Sequence, residues 1–380
     1  MIVRRPARLA LVAALPFLAV AACGSEPRQP RQDNTTANAE TSAAADLRRS
    51  IETASFRPRP TPSVTDGSDQ QGSGGSGSTP APDGGDASAD GAGNVAGALP
   101  EDARADPAMV RAQILLDRSR FSPGIIDGLG GENTRQAIAA FEEANDLTVD
   151  GELDETVFQR LSSGDGGQVL TDYTLTESDV AGPFIGSVPD SMEAMGRLDS
   201  VGYATAREAV AEKFHMSEAL LSALNPGVDF SRAGQTLVVA ATGPAELEGE
   251  VARIVIDKDE LSVRAFDDDG QLLAFYPATI GSRETPSPSG THTVRAIAPD
   301  PNYTYDPDQG GGGKIIVPPG PNNPVGSVWI DLSRDGYGIH GTPDPALIGK
   351  TASSGCVRLT NWDAEHLAAG VSSGVTVEFR

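Results

Sequence analysis

Two cysteines, Cys23 and Cys356, and four histidines, His215, His292, His340 and His366, are all that the chain offers for thiol or imidazole chemistry. That inventory is too small for a zinc cluster or a disulfide framework. Cys23 ends an apolar N-terminal run, which leaves Cys356 as a single thiol. In an exported protein an unpaired cysteine is either reactive or buried and inert, and the neighbours of this one favour reactivity. In Ser353-Ser354-Gly355-Cys356-Val357-Arg358 the small residues leave room for a substrate, and Arg358 brings a cation that favours thiolate.

A thiol nucleophile needs a base, and near neutral pH histidine is the usual one. His340 follows the strand-like stretch Trp329–Leu332 and the turn Tyr337-Gly338-Ile339, and it precedes Gly341-Thr342-Pro343. A histidine at a glycine-rich strand end is where a rigid sheet presents a side chain to a cleft. His366, expected on a C-terminal helix facing solvent, is the rival because it is close in sequence. His292, between Thr291 and Thr293, reads as structural, and His215, ending a short helix, as a cap or surface residue.

The elements that must position these groups fall in residues 248–380. Strand-like stretches recur at 253–256, 261–266, 272–275, 292–297, 314–317, 327–332 and 375–379, densely punctuated by Pro and Gly, and only 363–369 reads as helix. That is a mostly-β domain long enough for its own core.

Tyr337-Gly338-Ile339-His340-Gly341-Thr342, with Ser353-Ser354-Gly355-Cys356-Val357-Arg358-Leu359 following His340 so that the cysteine lies sixteen positions on, resembles the L,D-transpeptidase catalytic domain. Thr285–Gly290, Pro319–Gly326, and Asn361 with Asp363 match further signatures of that family. Many members carry Ser-His-Gly-Cys, whereas here Ser354 stands in place of the second histidine, so His340 is the one base that the motif supplies. The resemblance implies a β-sandwich-like catalytic domain acting on peptidoglycan stem tetrapeptides ending in D-alanine. In it Cys356 attacks, His340 carries the proton, and no metal or organic cofactor takes part. Gly341 is expected to orient the imidazole through its carbonyl. The turn Ser354-Gly355-Cys356 is expected to supply oxyanion and substrate contacts, and Arg358 either to bind a stem-peptide carboxylate or to form an internal salt bridge. The acceptor is an amine of another stem peptide or of an outer-membrane lipoprotein. The alternatives are an L,D-carboxypeptidase or amidase on the same scaffold and a wall-binding lipoprotein without activity.

Residues 103–165 read as three short helices interrupted by Ile126-Asp127-Gly128 and Val149-Asp150-Gly151, a short internal repeat similar to the peptidoglycan-binding module of cell-wall enzymes. In residues 166–245, helix, helix, Asn225-Pro226-Gly227 and a strand near 235–240 resemble the latter part of a LysM glycan-binding domain, with a first strand poorly marked around Tyr173; a spacer domain is the alternative. The fold class is therefore multidomain: a small three-helix module and a small α+β, LysM-like domain ahead of the mostly-β unit.

At the start, Arg4, Arg5 and Arg8 precede an apolar run, Leu9–Ala22, too short to span a bilayer but suited to a signal peptide covering residues 1–22. Its ending, Ala21-Ala22-Cys23-Gly24, resembles a lipobox, which implies lipidation of Cys23, a membrane partner and a periplasm-facing protein of the outer membrane. Residues 23–102 are read as a disordered linker. Ten Gly, six Ser and four Pro fall in 61–100, too little apolar surface to offset ordering. Such a linker gives the anchored unit a reach of roughly 50 Å. With 29 basic against 53 acidic residues the net charge is −24, which argues against a nucleic-acid partner, since phosphate binding needs cationic surface.

Overall fold

The structure, a computed structural model, describes residues 34–56, 105–165, 167–306 and 313–380. The signal segment, Cys23 and residues 57–102 of the linker lie outside them. No helix among the described residues is long and apolar enough to cross a membrane.

Part of the stretch read as disordered linker is ordered: α1 spans Asn34–Glu52. Ala44, Leu47 and Ile51 lie three and four residues apart, one face of a helix, and Ile51 is fully buried. Polar ties hold the helix end. Glu52 takes the N–H groups of Val169 and Leu170 at 3.2 and 2.8 Å and lies 3.7 Å from the Arg111 guanidinium. The sequence hides this helix because three apolar positions among Ala, Thr and charged residues do not stand out until a partner surface covers them. Truncating Ile51 to Ala should cost about 2–5 kcal/mol, the range for a fully buried aliphatic side chain. An unchanged urea midpoint for that variant would mean that α1 does not dock.

Three helices follow, α2 (Pro107–Arg118), α3 (Glu132–Ala144) and α4 (Glu155–Asp165). The repeated Asp-Gly turns between them share one device. Gln113 Oε1 accepts the N–H groups of Asp127 and Gly128, and Glu142 Oε2 accepts those of Asp150 and Gly151. In each turn the Asp carboxylate also caps the N–H two residues on, and the glycine sits at positive φ, +79° and +71°.

The next unit begins with a strand, β1 (Leu170–Thr174), then α5 (Glu177–Val180), α6 (Met192–Met195), α7 (Ala206–Lys213), α8 (Glu218–Leu224) and β2 (Thr236–Ala240). β1 and β2 pair antiparallel, so the weakly marked strand around Tyr173 is present, and residues 175–205 form a long excursion before α7. Asn225 joins helix to sheet: its carboxamide bonds Leu221 O, Val238 O and Val238 N–H.

The remainder is β3 (Arg253–Asp257), β4 (Ser262–Phe266), β5 (Leu272–Pro277), β6 (Gly290–Pro299), β7 (Tyr303–Tyr305), β8 (Ile315–Val317), β9 (Val328–Leu332), β10 (Gly338–His340), β11 (Val357–Arg358), α9 (Asn361–Gly370) and β12 (Thr376–Phe379). Eight strands form one continuous mostly-β sheet in the order β11-β10-β9-β6-β12-β3-β4-β5, and β7 with β8 makes a separate hairpin. Ile254, Ile256, Ile330, Ile339, Val357, Leu359 and Leu367 meet in its core, with α9 packed across β9 and β10. Of residues 337–339, read as a turn from sequence, the last two open the strand β10, three residues long and second from the edge of the sheet.

These units are not beads on a string. One apolar cluster runs from α1 through α2–α4, β1, β2 and α8 and includes Phe275 of the sheet. Ser122 N–H donates to Phe275 O, and Phe275 N–H to Arg120 O, at 3.0 and 2.9 Å. Ser122 Oγ bonds the Asp363 carboxylate on α9 at 2.9 Å.

Candidate active site

Strand parity builds the site. β10 runs antiparallel to β9 and parallel to β11, with His340 opposite both Trp329 and Arg358, and Ile339 opposite both Ile330 and Val357. Ile330, Ile339 and Val357 point into the core. Since side chains alternate along a strand, Trp329, His340 and Arg358 project from the other face, and so does Cys356, two residues before Arg358. Extending the β11 register back one residue sets Cys356 beside Gly338, diagonal to His340, the separation across which side chains still interact. The nucleophile and base named from sequence thus share one face of adjacent strands.

His340 is 3% exposed, and its Nδ1 lies 2.7 Å from Gly341 O. A carbonyl only accepts, so Nδ1 carries the proton and Nε2 keeps its lone pair free to act as a base. Burial, with the Arg358 cation adding to it, lowers the imidazole to about 4. The Trp329 indole lies stacked on the ring, centroids 5.3 Å apart and 19° from parallel. That indole also explains Gly338, because a Cβ there would fall 2.5 Å from Trp329 Cζ2.

Cys356 is a free cysteine with its Sγ 3.7 Å from Gly336 O. Burial raises the thiol above its ordinary value and outweighs the Gly338 N–H and the Arg358 cation, which both act to lower it. Arg358 was expected to favour thiolate, and it does, but the buried setting wins. The raised thiol and the lowered imidazole both favour the neutral forms.

The turn before the cysteine is held by Ser353 rather than Ser354. Ser353 Oγ donates to Cys356 O and accepts the Gly355 N–H. Ser354 is exposed. The Gly355 N–H is thus engaged within the turn itself. Gly355 adopts φ +112°, and Tyr337 Cε1 lies 2.8 Å from where its Cβ would be, so only glycine fits. The Thr285–Gly290 motif clamps the same turn: Thr285 Oγ1 donates to Ser353 O at 3.0 Å and Ser287 Oγ to Gly355 O at 2.8 Å.

Arg358 forms no ion pair among the described residues, and its Nε is buried without a partner. The internal salt bridge that the sequence left open is absent from these residues. The other histidines lie elsewhere. His366 is half-buried rather than solvent-facing, with Nδ1 2.8 Å from Tyr276 OH. His215 is no surface cap: it sits 2.7 Å from the Asp117 carboxylate and stacks on Trp362. His292 packs edge-on against Phe379. No cluster of three or more His, Cys, Asp or Glu side chains arranged to hold a metal occurs among the described residues.

The roles of Trp329, Ser353, Thr285 and Ser287 do not follow from sequence alone. An outward-facing aromatic at alternate position in the strand before the histidine motif was the available signal for Trp329. For the others the signal was their place within quoted motifs.

Comparison with known proteins gives two family matches. The L,D-transpeptidase catalytic domain family, YkuD, matches residues 251–378, and a peptidoglycan binding domain family matches residues 105–161. The chain is 30% identical over 171 residues to a Bacillus subtilis protein named as an L,D-transpeptidase, YkuD, covering 44% of this chain and 90% of that one. It is 29% identical over 172 residues to the protein of the same name from Bacillus licheniformis, covering 45% and 90%. A third relative, named as the L,D-transpeptidase YcfS of Escherichia coli, is 32% identical over 186 residues, with 45% of this chain and 57% of that protein covered.

Proposed function

This chain belongs to the L,D-transpeptidase family, and from that premise we propose that it cross-links peptidoglycan stem peptides through a cysteine acyl-enzyme. What carries this reading is the orientation of His340: Nδ1 is committed to Gly341 O, and the free Nε2 shares a sheet face with Cys356. Cys356 Sγ attacks the carbonyl carbon of the third residue of a tetrapeptide stem while its proton passes to His340 Nε2. The oxyanion draws on Cys356 N–H. Collapse breaks the peptide bond, His340 returns the proton to the leaving amine, and D-alanine departs from a thioester. An acceptor amine then attacks the thioester, gives its proton to His340 and releases Cys356 as thiol.

Arg358, a cation next to these two residues with no ion-pair partner among the described residues, suits a carboxylate of the donor stem. Arg358→Ala should raise KM for a soluble tetrapeptide about tenfold or more, since a charge-assisted bond is worth about 1.5–3 kcal/mol, with a smaller change in kcat. An unchanged KM would remove Arg358 from the binding site. Mass spectrometry of muropeptides after incubating the full-length protein with tetrapeptide-rich wall tests the whole reading. Cross-linked dimers are the expected product. Tripeptides alone would make the protein an L,D-carboxypeptidase, and an unaltered profile would refute both.

Residues 105–161 are proposed to hold the enzyme at the wall, where tethering raises local substrate concentration without altering the chemical step. Lipidation at Cys23 is proposed to anchor it in the outer membrane, facing the periplasm. Because α1 docks on the folded body, ten residues, 24–33, separate that anchor from it, a span of at most about 35 Å.

A further inference from the structure

We infer that Glu212, on α7 of the middle unit, is a positioning residue for His340 in the neighbouring catalytic domain. The inference rests on His340 as the base of the reaction proposed above. The link between the two runs through Asn361, a 1% exposed residue at the start of α9.

Glu212 Oε1 accepts a hydrogen bond from Asn361 Nδ2 at 2.9 Å and one from Tyr203 OH at 3.0 Å. Asn361 Nδ2 also donates to Pro321 O at 3.1 Å, and Asn361 Oδ1 accepts the Ser327 N–H at 3.2 Å. That oxygen lies so close to both Gly326 and Gly341 that a Cβ on either would strike it. The carboxamide is thus wedged against the Gly341 backbone, whose carbonyl fixes the tautomer and tilt of His340.

A carboxamide presents a donor end and an acceptor end of nearly equal shape, and its orientation is set by what surrounds it. A carboxylate offers only acceptors, so Glu212 requires the Nδ2 end to face it. Oδ1 is then left for Ser327 N–H and for Gly341. Reversed, the amide would set N–H against N–H at Ser327. A protonated Glu212 keeps Oε1 as an acceptor, so the lift of its carboxyl to about 7 by burial does not break the link.

One turn earlier on the same face of α7, Glu208 Oε1 accepts from Asn322 Nδ2 at 2.8 Å, and Val201 N–H donates to Pro319 O at 3.0 Å. The first half of the Pro319–Gly326 motif, 319–322, is therefore gripped by the middle unit. In this protein that unit serves as a buttress of the active site in addition to any wall contact.

The test uses the full chain with Glu212→Ala, Glu212→Gln and Tyr203→Phe. Three readouts apply: the rate of acylation by a carbapenem, the rate of alkylation of Cys356 by iodoacetamide, and the His340 Nδ1–H signal in proton NMR. Glu212→Ala is expected to slow acylation about tenfold or more, because small misplacement of a catalytic group is costly, and to shift or broaden the His340 signal. Alkylation should change less than twofold. Glu212→Gln should restore acylation and signal, since its amide oxygen accepts from Asn361, and Tyr203→Phe should leave both unchanged. Acylation within twofold of wild type together with an unmoved His340 signal in Glu212→Ala would overturn the inference, as would a Glu212→Gln variant as impaired as the alanine one. If the alanine variant does not fold, Glu212→Asp, which withdraws the carboxylate by one methylene, takes its place under the same criteria. Should His340→Ala leave acylation intact, the base assignment falls, while the NMR signal still decides the positioning.

Discussion

Cys356→Ala is expected to abolish acylation and cross-linking entirely while the protein stays folded. Alanine removes the one atom able to form the thioester, and no other described cysteine can replace it. The fold should tolerate the change. The sulfur makes a long contact to Gly336 O at 3.7 Å and meets the Gly338 N–H, while the turn is held by Ser353, Ser287 and Thr285. Intact-mass measurement after incubation with a carbapenem should give one covalent adduct on the wild type and none on the variant. An adduct on the variant would place the nucleophile elsewhere.

His340→Ala should slow acylation by about 10²–10⁴, the usual cost of losing a general base. The larger end is expected, because the thiol is raised by burial and so supplies little thiolate unaided. The same geometry fixes the shape of the pH profile. With His340 lowered to about 4, the imidazole stays neutral and competent across pH 5.5–8. Acylation by the wild type should then be nearly flat over that range and fall only as the pH approaches 4. An acid limb centred near 6.5, the ordinary histidine value, would show a base less buried than His340. His366→Ala, with its ring held by Tyr276 away from Cys356, should change acylation little; if it were the more damaging substitution, the base would be misassigned. Stability follows the same sign. A histidine held neutral in the folded state binds its proton only on unfolding. Its contribution is whole above pH 6.5 and is lost as the pH falls toward 4.

The sequence by itself singled out the candidate pair. One thiol outside the N-terminal run, in a turn of small residues, leaves a single candidate nucleophile, and the family motif puts His340, sixteen positions earlier, ahead of His366 as its candidate base. The strands of the sheet were legible from apolar alternation and their punctuation, and the helical module from Asp127-Gly128 and Asp150-Gly151, because turn chemistry and side-chain period are local properties. What the chain could not disclose locally, tertiary structure decided. The docking of α1 depends on partner surfaces in α2 and α8, far along the chain, and no local composition encodes those partners. Ser353 and not Ser354 frames the nucleophile because parity in the turn buries one hydroxyl and exposes the next. Trp329 acts on His340 only through the β9–β10 register. Glu212 reaches Asn361 across 149 positions, through a packing of two units that neither sequence segment specifies alone. A motif names the groups that react because their chemistry travels with residue type. Which neighbours orient those groups, exclude water and shift their protons is set by contacts between residues distant in the chain.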